Sequence, residues 1–545
     1  MIKYFIFNYT SVATNYGIGT YTNHLVDILK SYRTYDIYIV DTCTAGGDVN
    51  VVQDMDGVCR IQIPHFYEGT DVRLAEQALH YVIFQYVNNE PCIFHFNFSI
   101  YNNLARLLKA NISHCYILYT LHCMNWAFPL FGNQHKFHQI INGEYFDEDN
   151  YRGVIGDYYS TKSFYAFCDR IICLSKFTKK LLINEYSVSE KKLDVIYNGI
   201  KEIKTIKTHN QKKQKSILYV GRLDDTKGIQ FLIMAYKRLL TRIHDIRLFI
   251  VGNGLFDEYL KYCDGIWDKV SFTGRLSHEQ IEEMYNTATI GVLPSFNEQC
   301  SYSAIEMMSH GIPLIATDST GLGEMMDVTP ECCVHIDEER FDAESFEKDL
   351  SKKMEYVLTD KIIRKEIVEK QHVLFNERYS YKKLLNSMKD MYRRIDNELS
   401  DTILSDDFLP YLDKKMFSII DMRPDLDFEM VGFTGLGLYL LVRKEETEKK
   451  HEESTCLHIQ EYLVYLLDWI CFVVENEGQK ILYNCEKSAL SAFVNQLKNT
   501  KFYPSILTKI KYMLSKHNVY LCDAIEIPSI KDVYMTALKL YTKNE

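Results

Sequence analysis

Ile290-Gly291-Val292-Leu293-Pro294-Ser295-Phe296-Asn297-Glu298-Gln299-Cys300-Ser301-Tyr302-Ser303-Ala304-Ile305-Glu306-Met307-Met308 reads as strand, loop and helix in one pass. The apolar run Ile290–Leu293 suits a buried strand, and Pro294 stops it. The helix then runs to Gly311, which takes the left-handed stop conformation readily, and Pro313 blocks continuation. Glu298 therefore falls in the loop and Glu306 about one turn into the helix. Two carboxylates straddling such a loop make poor packing groups. Both can face the crevice at the carboxyl end of a strand, where open α/β sheets bind ligands.

The same alternation extends both ways. Strand candidates upstream are Lys3–Phe7, Ile37–Val40, Cys92–Phe96, Tyr116–Leu121, Arg170–Leu174 and Leu193–Ile196, with helical patterns between them. Lys201 to Lys215 is basic and polar and reads as a linker. A second series starts at Ser216 and continues through Ile246–Val251, Val270–Phe272 and Leu314–Ala316. This predicts an α/β chain of two Rossmann-like domains facing a cleft: 1–200, a linker over 201–215, and 216–395. From about residue 396 long helical stripes such as Leu457–Val474 and Ala489–Leu497 replace convincing strands, which predicts a mainly helical accessory domain over 396–545.

Composition bounds the class. The chain has 545 residues, too many for one core, and a net charge of -11. That charge argues against nucleic acid as partner. Fifteen cysteines, an odd number, include no CxxC, and free thiols in a reducing cytoplasm are the plain reading. The N-terminus reads as a strand rather than a signal peptide. Leu463 to Val474 is short of the roughly 20 residues that span a bilayer.

The chemistry gathers at strand ends. Gly221-Arg222-Leu223-Asp224-Asp225-Thr226-Lys227-Gly228 sets two cations before a helix. Arg222 can fork onto two oxygens of a diphosphate and Lys227 adds a point charge, although two solvated surface cations would look the same. Val251-Gly252-Asn253-Gly254 lets a ligand approach the backbone, or is a simple turn. Thr273-Gly274 ends another strand, where a nucleobase could rest. Ser301, Tyr302 and Ser303 precede or open a helix whose N–H groups would face a phosphate. Glu306 can accept both hydroxyls of a ribose, and Glu298 those of a sugar beyond the diphosphate.

Gly221–Gly228, the Glu298-x7-Glu306 spacing and His310-Gly311-Ile312-Pro313-Leu314-Ile315-Ala316-Thr317 resemble a GT-B-fold retaining glycosyltransferase of family 4. The resemblance extends to Asn15-Tyr16-Gly17-Ile18-Gly19-Thr20-Tyr21, a glycine-rich first loop that places Gly17 and Gly19 near the donor phosphates. It also takes in Thr120-Leu121-His122, Cys168–Thr178, Val195–Ile200 and Phe375–Tyr381, and so spans about 1–395. It implies that Glu298 and His122 contact the donor sugar, Glu306 the ribose, and Arg222 and Lys227 the diphosphate. It implies no metal and no cofactor, with a nucleotide-sugar, by default a UDP-sugar, as co-substrate. The acceptor it implies is a peptide, a protein or a glycan. Gln299-Cys300-Ser301 stands where the family commonly has Gly-Phe-Gly, and Tyr16 where Gly is frequent. The variant motif is similar to a bacterial subgroup associated with radical-SAM peptide maturation, which would make a ribosomal peptide the acceptor.

Other residues read more plainly. His95 is a packing histidine, and Cys300, with no base beside it, is a spacer. Val431-Gly432-Phe433-Thr434-Gly435-Leu436-Gly437-Leu438-Tyr439-Leu440-Leu441 lacks a preceding strand, so it reads as a packed helix start rather than a dinucleotide fingerprint. The helical domain is expected to hold a peptide acceptor, a partner protein or a membrane surface; oligomeric state leaves no mark. Two other functions fit the same residues. One is an epimerase or phosphorylase on this fold, betrayed by donor consumption without an acceptor-linked product. The other is a non-catalytic nucleotide-sugar scaffold, betrayed by binding without turnover.

Overall fold

The computed structural model describes residues 2–9, 17–32, 35–44, 49–54, 57–64, 79, 82–83, 85–87, 90–99, 101–112, 114–143, 148–202 and 215–404, and five short strands beyond. Two parallel sheets carry the architecture. The first has eight strands: β1 (Lys3–Tyr9), β2 (Asp36–Thr44), β3 (Asn50–Gln53), β4 (Cys59–Pro64), β5 (Cys92–Phe96), β6 (Cys115–Leu121), β7 (Arg170–Cys173) and β8 (Leu193–Val195). Their order is β3-β4-β2-β1-β5-β6-β7-β8, and of these only β3 pairs antiparallel. β3 and β4 were not foreseen: four exposed residues in β3 bury no apolar face, so no alternation marks it.

β1 shows why the sheet forms. Tyr4 and Ile6 enter the core on the side of α1 (Gly17–Tyr32), with Leu25 and Ile28. Phe5 and Phe7 point to the opposite face, where Phe5 stacks on Phe94 at 5.0 Å and Phe7 on Phe96 at 4.4 Å. A strand buried on both faces reads as a continuous apolar run. The opposite layer includes α2 (Asn102–Asn111) and α3 (Glu148–Phe167).

The second sheet has order β11-β10-β9-β12-β13-β14, all parallel. Its strands are β9 (Lys215–Val220), β10 (Ile246–Val251), β11 (Val270–Gly274), β12 (Ile290–Leu293), β13 (Leu314–Thr317) and β14 (Cys333–Val334). β9 begins at the last residue of the expected linker. Strand order reverses between β1 and β5 in one sheet and between β9 and β12 in the other. Such reversals open crevices at the strands' carboxyl ends.

The chain returns to the first domain through α4 (Tyr381–Leu404), after a π turn over Phe375–Tyr379. Tyr392 and Tyr4 hydroxyls meet at 2.8 Å, Tyr116 donates to Glu398 at 2.6 Å, and Arg394 to Asp194 at 2.7 Å. The crossing expected at Phe375–Tyr381 is thus in place.

Past Leu404 the described residues include strands that the sequence did not lead one to expect. Beyond Leu404 the described residues are all strand: β15 (Phe417–Asp421), β16 (Val431–Thr434), β17 (Gly437–Leu441), β18 (Gln479–Tyr483) and β19 (Val519–Leu521), in order β16-β17-β15-β18-β19. The expected end of strands at 396 does not hold for these segments. Val431–Leu441 is no helix start: β16 and β17 pair antiparallel, Val431 opposite Leu440 and Thr434 opposite Gly437. Its β-branched and aromatic residues fit that pairing better than a helix. The helices expected over 457–474 and 489–497 lie outside the described residues. Every described cysteine is a free thiol. Among the described residues, no helix is long and apolar enough to cross a membrane.

Candidate active site

The loops after β9 and β12 interlock. Asp224 accepts from the Thr226 N–H at 3.1 Å and from its hydroxyl at 2.5 Å, which winds the segment into a turn. Thr226 O then accepts the Phe296 N–H at 2.7 Å. Gly228 adopts φ +66°, and a Cβ there would stand 2.2 Å from Pro294 O, so the contact needs glycine. Pinned this way, Lys227 is 8% exposed. Its ammonium donates to Glu298 Oε1 at 2.8 Å and to Asn297 O at 3.2 Å. Arg222 pairs with Asp224 at 3.4 Å, and its guanidinium lies 5.9 Å from the ring centre of Phe128 in the first domain.

Glu298 is fixed on both sides. Its carboxylate also receives the Ser295 hydroxyl at 3.3 Å. Its N–H donates to Thr320 Oγ1 at 2.9 Å, and its carbonyl accepts the Thr320 hydroxyl at 2.5 Å and the Gly321 N–H at 2.8 Å. Thr320 sits at φ +42°, an uncommon conformation for a β-branched residue, and such strain gathers where a loop must be held.

The helix over Tyr302–Ser309 starts with Ser301 as N-cap, its hydroxyl accepting the Ala304 N–H at 3.4 Å. Gly311, at φ +64°, ends the segment as expected. Glu306 is half-buried on this helix. Burial raises its carboxyl pKa, and the Tyr285 hydroxyl, 2.6 Å away, works the other way by stabilising the charged form. The Tyr302 ring reaches across to the first turn of α1: a Cβ on Gly17 would meet it at 3.0 Å. Gly17 and Gly19 both lie in that turn; Asn15 and Tyr16 lie outside the described residues.

Gly252, Asn253 and Gly274 are joined to the same surface. The Gly221 N–H donates to Val251 O, that of Leu223 to Asn253 O, and that of Gly252 to Gly274 O. A Cβ on Gly252 would fall 1.7 Å from Gly221 O.

On the first domain His122 follows β6. Its Nε2 lies 3.0 Å from Asn97 Oδ1, while Asn97 Nδ2 donates to Asn8 Oδ1 at 2.9 Å. That arrangement makes His122 Nε2 the protonated nitrogen and leaves Nδ1 as an acceptor. Burial pushes its pKa down to about 3, so the ring is neutral. Burial raises the pKa of the neighbouring Cys123 thiol, while the charges of Arg222 and Lys227 oppose that rise, which sets this strand end opposite the cations. His95 is the packing residue expected, its ring nitrogens 2.7 Å from the Tyr4 and Thr120 hydroxyls.

The predicted residues therefore lie at strand ends and at the starts of helices in the two domains. Asn97, Tyr285 and Thr320 were missed. Each acts by holding a predicted residue, and a lone polar side chain carries no periodic signal. A cavity of about 770 Å³ opens beside the Glu298 loop, between Phe131 and His135 of the first domain and Phe231, Asp318 and Glu338 of the second.

Comparison with known proteins agrees with this arrangement. The profile of Glycosyltransferase Family 4 matches residues 16–202, and that of Glycosyl transferases group 1 matches 200–373. An uncharacterized glycosyltransferase of Methanocaldococcus jannaschii is 30% identical over 235 residues, covering 38% of this chain and 59% of that protein. Mannosylfructose-phosphate synthase of Agrobacterium fabrum is 29% identical over 179 residues, covering 29% and 39%. The chain thus spans between 39% and 59% of the length of these curated relatives. Among solved structures, sucrose-phosphate synthase from Thermosynechococcus elongatus superposes with TM-score 0.57 at 18% identity, over 73% of this chain and 100% of that one. Two profiles meeting end to end over two Rossmann-like domains of the GT-B kind place this chain in the family of glycosyl transferases group 1, glycosyltransferase family 4.

Proposed function

We propose that the chain transfers a sugar from a nucleoside diphosphate, with UDP as the default nucleotide, to an acceptor hydroxyl with retention of anomeric configuration. The Lys227–Glu298 ion pair carries this reading: one largely buried contact joins the diphosphate cation to the sugar-contacting carboxylate. Arg222, Lys227 and the helix N-terminus after Ser301 oppose the charge that builds on the leaving diphosphate as its bond to the anomeric carbon breaks. The acceptor oxygen forms its bond on the same face, and the departing phosphate oxygen takes the acceptor proton. Glu306 receives the ribose hydroxyls. Neutral His122 offers Nδ1 to a sugar hydroxyl. Gly252, Asn253 and Gly274 line the base end.

The acceptor is a peptide, a protein or a glycan, and the cavity beside Glu298, walled by aromatic rings and carboxylates, suits a hydroxyl-bearing chain of that kind. A thermal-shift panel of nucleotide sugars, followed by mass spectrometry of candidate acceptors with the best donor, tests the assignment. A donor-dependent shift and an acceptor heavier by one glycosyl unit are expected. Binding with no product across the panel would return the chain to the scaffold class.

A further inference from the structure

The departure at Gln299-Cys300 has a partner across the cleft. Thr178, fully buried in the first turn of the helix over Lys176–Asn184, donates its hydroxyl to Gln299 Oε1 at 2.5 Å. Thr178 is itself held by Ser175, the N-cap of that helix, with the two hydroxyls 2.7 Å apart. Gln299 is 4% exposed and its Nε2 donates to Asn297 Oδ1 at 3.3 Å. Asn297 O is the second acceptor of Lys227.

A parallel tie runs through Glu324. It lies on the helix Thr320–Met326, whose first residue grips the Glu298 backbone. The Glu324 carboxylate accepts the Phe177 N–H at 2.6 Å and the Tyr197 hydroxyl at 2.9 Å, both from the first domain. Asn198 Nδ2 adds a third tie, donating to Cys300 O at 2.9 Å. Both supports of Glu298, the residue that follows it and the helix that holds its backbone, thus end on residues 177–178.

We propose that the first turn of the Lys176–Asn184 helix is a strut that positions the Glu298 carboxylate from across the cleft, with Thr178 and Gln299 as its positioning residues. This rests on the sugar-contacting role proposed for Glu298. A glycine after Glu298 could not reach Thr178, so the Gln299 side chain supplies a link that the backbone alone lacks. Domain closure and the placement of Glu298 become one event, because the strut belongs to one domain and the carboxylate to the other.

The test uses the full chain as wild type, Thr178→Val, Gln299→Leu and Thr178→Ser, with amide exchange followed over residues 294–301. Thr178→Val and Gln299→Leu are expected to speed exchange there about ten-fold while leaving the strands of the second sheet unchanged, and Thr178→Ser, which keeps the hydroxyl, to match wild type. With UDP-glucose or the best donor of the panel, kcat is expected to fall about ten-fold at little-changed donor KM, with Thr178→Ser restoring it. Unchanged exchange over 294–301 in Thr178→Val, or a rise spread evenly through both domains, would overturn the strut. Absence of turnover in the wild type would count against the proposed function alone, since the exchange measurement still decides the strut. Thr178→Val is the milder change and serves if Gln299→Leu does not fold.

Discussion

Lys227 can stay buried because Glu298 and the Asn297 carbonyl supply acceptors for its ammonium. Replacing it with alanine removes the charge that would meet the diphosphate and leaves Glu298 with Ser295 as its side-chain partner on that carboxylate oxygen. Lys227→Ala is expected to lower kcat/KM by about 10²- to 10³-fold, with circular dichroism showing the fold retained; near-wild-type turnover would remove Lys227 from the mechanism. Glu306 makes a pH prediction. Burial raises its pKa, so on acidification it takes up a proton before an ordinary carboxylate does. Ribose hydroxyls donate best to the ionised form, so donor affinity should weaken as pH falls through that raised value. Calorimetric donor titrations carried from neutral pH downward should show this limb above the range of an ordinary carboxylate. Tyr285→Phe removes the hydrogen bond that favours the charged form, and so should move the limb to higher pH; a limb that stays in place would mean another group sets it.

At the scale of elements, the strand–loop–helix units over 290–311 and 215–228 were legible because their signals are local: short apolar runs, a stopping proline, glycines at sharp turns. Gly228 and Gly252 are the clearest cases, each pressed against a neighbouring carbonyl. Gly252→Ala would force a Cβ into Gly221 O from φ +151°. It should cost about 1–3 kcal/mol of stability and weaken donor binding together, measurable by denaturant unfolding and thermal shift; an unperturbed variant would show that the turn can re-form around a side chain. The elements that escaped notice failed for physical reasons. β3 buries nothing and β14 is only two residues long. The β16–β17 segment carries Gly432, Gly435 and Gly437, whose spacing mimics a helix start. The supports of the site were equally silent in the sequence. Thr320 and Asn97 act through contacts with loops 22 and 25 residues away, each within its own domain, and the Thr178–Gln299 contact exists only once the two domains meet.

The whole molecule turns on how the two domains meet. α4 ties the end of the second domain back onto the first through Tyr392, Arg394 and Glu398, while the Tyr302 ring bears on Gly17 where two helix N-termini approach each other. That second contact sets how closely the phosphate-facing turns approach, because any side chain at position 17 would press on the ring. Gly17→Val would place methyl groups where the ring lies, although the helical backbone there accepts a valine. The domains themselves should fold, but their approach should be held back. Donor KM is expected to rise about ten-fold or more, and small-angle scattering should report a larger radius of gyration than wild type. Trimming the ring in the same background, as Gly17→Val with Tyr302→Ala, should return the scattering profile toward wild type. If the single variant stays as compact as wild type and keeps its donor KM, the Gly17–Tyr302 contact does not govern closure, and the fit between the domains is set by the struts at Thr178 and Glu324 instead.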